Sequence, residues 1–347
     1  MASLATPPEA GGPKRGLPLV GGLIDYLATA RRFSPNARLF LIYALTSQTG
    51  SGIWTVMFNL YLLRSGFSTG FVGIFLMVDM FVHGLVAFPA GLIADKIGRR
   101  RAFFFSTCLN LLARGTMLFT SDPSTLLILA GVAGAGQAFH GSAGPPFIME
   151  NSQPEERPLL FSMNAVFQLL SRSLGSVVPL VWAVAVGVPD LNLGMSRWVL
   201  VLSLPLTLAA LTPLWFMNEV RARLAGSFMD LIMLKNIVNF PTIAKLALCN
   251  LAVGLGLGLA TRFFNVYFDL GLGATDRQIS AIFAVAAIGG ATAIVLSGIF
   301  VRKWGTVRSI AASQAASVPF LLLMVFVPLV LPGLPLVVAF FIIRDAF

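Results

Sequence analysis

Asp79, His83 and Arg114 lie deep inside apolar runs of this sequence. A charge at such a depth costs at least ~2.5–3.5 kcal/mol unless it finds a partner or a water-filled cavity. Asp79 and His83 are four residues apart and share one helical face. Arg114 lies ~18 Å along the next run, and an antiparallel neighbour brings His83 and Asp79 to ~16 and ~22 Å from the same end, so the three can meet. A carboxylate and an imidazole change charge readily once burial and a cation tune them, which makes this cluster a candidate for proton coupling. A static Asp79 to Arg114 pair fastening two helices would use the same residues. Arg172, ~20 Å from its helix end, is too deep to snorkel easily. Arg114, Arg172, Arg262 and Arg344 against Asp79 and Asp345 leave the runs net cationic. That favours an anionic or acceptor-rich solute, although each arginine could equally bind backbone carbonyls or aromatic rings.

The elements that must position these groups follow from composition. Of 347 residues 57% are hydrophobic and 11% charged, with a mean hydropathy of +0.86, a balance that excludes a soluble domain. Runs of the ~18 to 25 residues needed to cross a bilayer fall near 39–63, 70–94, 102–120, 124–149, 159–187, 197–217, 242–270, 277–301 and 306–330, and a tenth begins near Leu334. The expected class is all-α, a polytopic transmembrane helical bundle. Cys108 and Cys249 fall inside spans and read as small buried hydrophobes. Residues 1–36, rich in Pro and Gly and without a cleavable apolar core, read as a cytoplasmic tail in which Leu19 to Phe33 is at most a short interfacial helix.

Sixteen of the 24 Lys and Arg fall in loops on one side of the spans and three on the other, which puts the N-terminus in the cytoplasm. The second half repeats the first. Phe58, Asn59 and Tyr61 recur 206 residues later as Phe264, Asn265 and Tyr267. A turn with Gly91, Asp95, Lys96, Gly98 and Arg99 to Arg101 recurs 207 residues on as Gly298, Arg302, Lys303, Gly305 and Arg308. Two six-helix halves are implied, at 37–217 and from 241 to 347, joined by a cytoplasmic linker at 218–240. Twelve helices would be needed, so a chain ending ~20 Å into the tenth is expected to be truncated.

The Gly91, Asp95, Gly98 and Arg99 pattern resembles the loop between helices 2 and 3 of the major facilitator superfamily, a large group of secondary transporters. The resemblance implies that superfamily's fold, two six-helix pseudo-repeats of which about ten helices are present. It also implies alternating access for a small solute in an integral protein of a bacterial inner membrane. A salt-bridge latch at the inner gate would take Asp95, Arg99, Glu150 and Arg157. Arg302 stands where a second Asp95 would be, so an equivalent latch in the second half is not expected. Helices 1, 4, 7 and 10 line the cavity in the superfamily. By that likeness Gln48, Asn59, Gln137, His140, Arg262, Asn265, Arg344 and Asp345 face solute, joined by Arg172, with His140 open to an interhelical hydrogen bond instead. The partners implied are the lipid bilayer, the solute and a coupling proton, with no cofactor, metal or nucleic acid, in a monomer. An uncoupled facilitator or an efflux permease of the same fold is the alternative. Helix 5 lacks the glycine and proline pattern of drug antiporters, and helix 4 lacks their arginine. A membrane-embedded enzyme would need paired acids or a histidine cluster at an interface, and the sequence has neither.

Overall fold

The computed structural model describes residues 33–219, 261–330 and 333–346, with scattered positions between 241 and 249. The expected tail, its interfacial helix, most of the linker and most of the seventh span lie outside the described residues.

Helix α1 runs Pro35–Arg64 and starts where Ser34 Oγ accepts the Ala37 N–H at 3.2 Å, with Pro35 fixing the first turn. Then come α2 (Thr69–Ile97), α3 (Arg99–Met117), α4 (Pro123–Glu150) and α5 (Arg157–Val186). Helix α6 is assembled from Leu193–Val201, Ser203–Ala209 and Leu211–Phe216. The described end of α7 comprises a tight turn Thr261–Phe263, then Phe264–Val266, then a wide turn Tyr267–Gly271. Helices α8 (Asp276–Trp304), α9 (Thr306–Val330) and α10 (Leu334–Ala346) complete the description. No strand occurs among the described residues.

Among the described residues six segments are long and apolar enough to cross a membrane: α2, α4, α5, α6 and the apolar stretches Asp276–Ile294 and Val307–Pro328. Helices α1 and α3 have spanning length but weaker hydropathy. The cause is compositional, because α1 carries Ser47, Gln48, Ser51, Thr55 and Asn59, and α3 carries Arg99 to Arg101, Asn110 and Arg114. Helix α2 shows how such helices sit in lipid. Ile74, Met77, Phe81, Leu85 and Phe88, at helical spacing, are exposed, whereas Val72, Phe75, Leu76 and Asp79 are buried. The apolar stripe faces outward and the mid-helix carboxylate, Asp79, inward.

The basic turn is one residue long, since Gly98 alone separates α2 from α3. Arg99 to Arg101 therefore belong to the first turn of α3, and Arg157 opens α5. Arg64 closes α1 rather than lying in a loop, and Arg197 lies within α6 with its guanidinium 4.8 Å over the Phe119 ring. Charges at helix ends are loop charges and helix residues at once, which is why span-counting misplaced them.

The duplication extends to backbone conformation. Gly66 and Gly273 have φ of 92° and 63°, Ser68 and Thr275 cap α2 and α8, and Gly98 and Gly305 have φ of 96° and 79°. Each pair is 207 residues apart, so the two halves reverse direction by the same devices. Across the halves α5 runs against α8, where Ser173 Oγ donates to the Ala284 carbonyl at 2.8 Å.

Candidate functional site

Three adjoining hollows of about 390, 190 and 70 Å3 lie between the halves, and all three are lined by Thr55 of α1 and Thr261 of α7. The largest takes Gln48, His83, Arg114, Gln137, His140, Arg172 and Arg262. A second takes Arg172, Arg344 and Asp345, and the third takes Asn59, Asp79, Arg114, Gln137, Arg262 and Asn265. Every central residue singled out from sequence lines at least one of them. The two threonines were missed, yet they extend the repeat, because Thr55, Phe58, Asn59 and Tyr61 match Thr261, Phe264, Asn265 and Tyr267 at one offset.

Asp79 is 6% exposed and accepts a hydrogen bond from Gln137 Nε2 at 3.4 Å. Its depth is set by helix packing: a Cβ at Gly134 would overlap the Asp79 carbonyl, so α4 approaches α2 there only as glycine. Arg262, Arg114 and His83 exert their fields on it, but none is within ion-pair distance. The direct Asp79 to Arg114 pair is not formed. Arg114 Nη1 instead donates to Ser51 Oγ at 3.2 Å with its guanidinium 5.3 Å over Trp54. Arg172 Nε donates to Gln48 Oε1 at 3.2 Å. Arg344 lies 3.5 Å from Asp345 and 5.3 Å over Phe264. The arginines thus line the cavity, and Arg114 and Arg344 also lean on aromatic rings.

His140 stands at the cavity and in a hydrogen-bond chain at once. It lines the largest hollow, and its Nδ1 lies 3.1 Å from Tyr43 Oη, which is 3.3 Å from Thr107 Oγ1. Thr107 donates to the Phe103 carbonyl at 2.9 Å. With that proton committed, Tyr43 can donate to Thr107 and accept from a His140 Nδ1–H.

Asn59 and Asn265, expected to face solute, also lock the two halves to each other. Asn59 Nδ2 donates to Asn265 Oδ1 at 3.1 Å and to the Arg262 carbonyl at 2.9 Å; Asn265 Nδ2 donates to the Val56 carbonyl at 3.0 Å. Each asparagine therefore binds the carbonyl three residues before its counterpart, the pattern a twofold pseudo-axis between α1 and α7 requires. Asn59→Ala and Asn265→Ala should each cost about 1–3 kcal/mol by orphaning a buried carbonyl. The double variant should cost less than the sum, because the two share one bond, and thermal unfolding of the purified protein measures this.

At the end carrying the basic turn, Arg99 joins Asp95 and also Glu150, the latter at 3.3 Å. Arg157 does not reach these carboxylates and donates to the Met149 carbonyl at 3.3 Å. Glu150 Oε2 and Arg157 Nε are buried without hydrogen-bond partners among the described residues. Gly91 is not demanded by space, as a Cβ there would make an ordinary 3.8 Å contact with Ser142. Gly98 is demanded by its φ of 96°, and a Cβ there would also push aside the Glu219 carboxylate. Glu219, missed from sequence, accepts the Arg100 N–H at 3.3 Å on the α3 N-terminus, where the helix dipole favours an anion. Gly98→Ala should cost about 1–3 kcal/mol through strain and overlap, and adding Glu219→Ala should restore only the overlap share in a thermal melt.

The opposite end is tied across the halves. Arg64 Nη2 and Nη1 contact Asp276 Oδ1 and Oδ2 at 2.6 and 2.7 Å, and Asp276 Oδ2 also accepts the Leu191 N–H at 2.7 Å. The Asp276 side chain is fully buried. No sequence signal distinguished Arg64 from a topological loop charge.

A duplicated bundle of apolar, membrane-length helices enclosing a polar cavity between its halves defines an integral membrane transporter. The sequence model of the Major Facilitator Superfamily matches residues 39–344, and the chain belongs to that family of secondary transporters rather than to an enzyme class. Among solved structures, the nucleoside transporter NupG is similar at 13% identity and a TM-score of 0.66, over 89% of this chain and 78% of that one. The D-xylose-proton symporter is similar at 15% and 0.59, over 89% and 79%. A bacterial homologue of the human lysosomal transporter Spinster, inward-facing and unoccupied, is similar at 16% and 0.58, over 89% and 71%. These likenesses concern the fold. No curated protein matched.

Proposed function

We propose that this protein moves a small polar solute, an anion by preference, by proton-coupled alternating access, as a monomer in a bacterial cell membrane with its N-terminus in the cytoplasm. The observation that carries the coupling is Asp79. It is a buried carboxylate held by one neutral hydrogen bond, in a hollow it shares with Arg114 and Arg262. Such a group can take up a proton without breaking an ion pair, and solute or proton can occupy the same field. The Arg64 to Asp276 clasp and the asparagine pair support a state closed at the end opposite the basic turn, with the cavity facing the basic, cytoplasmic end. The unpartnered Glu150 and Arg157 atoms support a latch that rearranges when the basic end closes. The division at 218–240 between two halves accords with the paired conformations on either side of it.

In proteoliposomes the purified transporter should accumulate solute above equilibrium only under a pH gradient, and a protonophore should abolish this. Flux indifferent to the gradient would end the coupling proposal and leave a facilitator. Absence of saturable flux of any solute would end the transport mechanism proposed here.

A further inference from the structure

We infer that the solute is an amphipathic organic anion, with a carboxylate-type head in the arginine-lined hollow and a flat apolar body against the phenylalanines beside it. This rests on the transport reading above and narrows it to a substrate class.

The sign of the head comes from charge bookkeeping inside the cavity. Arg114, Arg172 and Arg262 all line the largest hollow, and no described carboxylate lies within 4 Å of any of them. Arg114 and Arg172 bind the neutral Ser51 and Gln48, and Asp79 and Asp345 reach the three arginines only through their fields, so with Arg344 four arginines face two carboxylates and the hollows stay net positive. Asp345 is spoken for by Arg344, and Asp79 is held by Gln137. A cationic solute would meet repulsion here, and an anion would supply the missing charge.

The apolar body comes from the adjoining hollow of about 190 Å3. One wall of it is Phe264, Phe283 and Phe341, with Ala286 and Ala287 beside them, and Arg172 and the Arg344–Asp345 pair line the rest. Phe341 packs against Phe264 and Phe283 with ring centroids 5.0 and 5.6 Å apart, so the wall is a fixed aromatic surface of α7, α8 and α10. A bare inorganic anion or a fully hydroxylated solute would leave that wall unused. Arg172, Thr55 and Thr261 line both hollows, so head and body sites adjoin at these three residues. Mostly apolar concavities with a few convergent polar groups, of some hundreds of Å3, are the usual form of a small-molecule site.

The test uses four probes on the purified transporter, with calorimetric titration and thermal stabilisation as readouts: 2-naphthoate, acetate, 2-naphthylmethanol and 2-naphthylmethylamine. The expected result is that 2-naphthoate binds at least about tenfold more tightly than acetate, which lacks the body, and than naphthylmethanol, which lacks the charge. The amine should not compete. Arg172→Gln should weaken naphthoate and leave naphthylmethanol unchanged, and Phe283→Leu should weaken naphthoate and leave acetate unchanged. Equal affinity for acetate and naphthoate, preference for the amine or the alcohol, or no binding of any probe would each overturn the assignment. The probe series needs only native protein, so a variant that fails to fold does not decide it. Gradient-driven uptake of a solute outside this class would overturn the assignment and leave the transport reading intact. Naphthoate binding without flux would do the reverse.

Discussion

Asp79→Asn is expected to abolish proton-driven accumulation while leaving solute exchange across the membrane intact. Asparagine keeps the volume and an oxygen for the Gln137 N–H, so packing against α4 should survive. What it removes is the titratable proton. A gradient of one pH unit is worth about 1.4 kcal/mol per proton, enough for about tenfold accumulation in a one-to-one cotransporter, and the variant should equilibrate instead. Counterflow measured in the same proteoliposomes separates the two outcomes. His83→Gln should lower accumulation less, because the imidazole lines the neighbouring hollow and reaches Asp79 only through its field. If Asp79→Asn accumulates solute like the native protein, the coupling group lies elsewhere.

The second large effect is expected at the clasp. Asp276→Ala leaves the Arg64 guanidinium and the Leu191 N–H without the acceptor they share. Breaking a fully buried pair from one side costs about 3–5 kcal/mol, and the 22% exposure of Arg64 reduces that here to about 2 kcal/mol. Because Arg64 belongs to α1 and Asp276 to α8, the loss falls on the contact between halves, and it favours the state in which this end is open. About 2 kcal/mol shifts a two-state equilibrium by roughly thirtyfold. In a background lacking Cys108 and Cys249, a membrane-impermeant maleimide added on the Arg64 side should label Thr55→Cys at least about tenfold faster when Asp276 is alanine. Unchanged labelling would mean that the clasp does not hold the gate.

What could be read from sequence was whatever the bilayer makes costly or the duplication writes twice. Asp79, Arg114 and Arg172 stood out because a charge within an apolar run requires a reason, and all three prove to line the cavity. The repeat is visible from Phe58 and Phe264, but its start three residues earlier, at Thr55 and Thr261, is not, because single threonines are common in membrane helices. That Asn59 would bind Asn265 was not legible, since a repeat reveals two equivalent positions and not that the axis relating them passes between their side chains. Arg64 and Asp276 are 212 residues apart, and no local spacing links two charges at that distance. Glu219 escaped because its partner is a backbone N–H, which every sequence position offers. Arg157 was paired by family likeness with a carboxylate it does not touch in this state.

The most direct test of proton-coupled transport is solute-driven proton movement. Proteoliposomes holding a pH-sensitive dye and no initial pH gradient are given an inward gradient of a transported solute. Coupled transport predicts a change in internal pH that scales with solute flux and is absent in Asp79→Asn. Solute flux equal to that of the native protein with no movement of protons would contradict it.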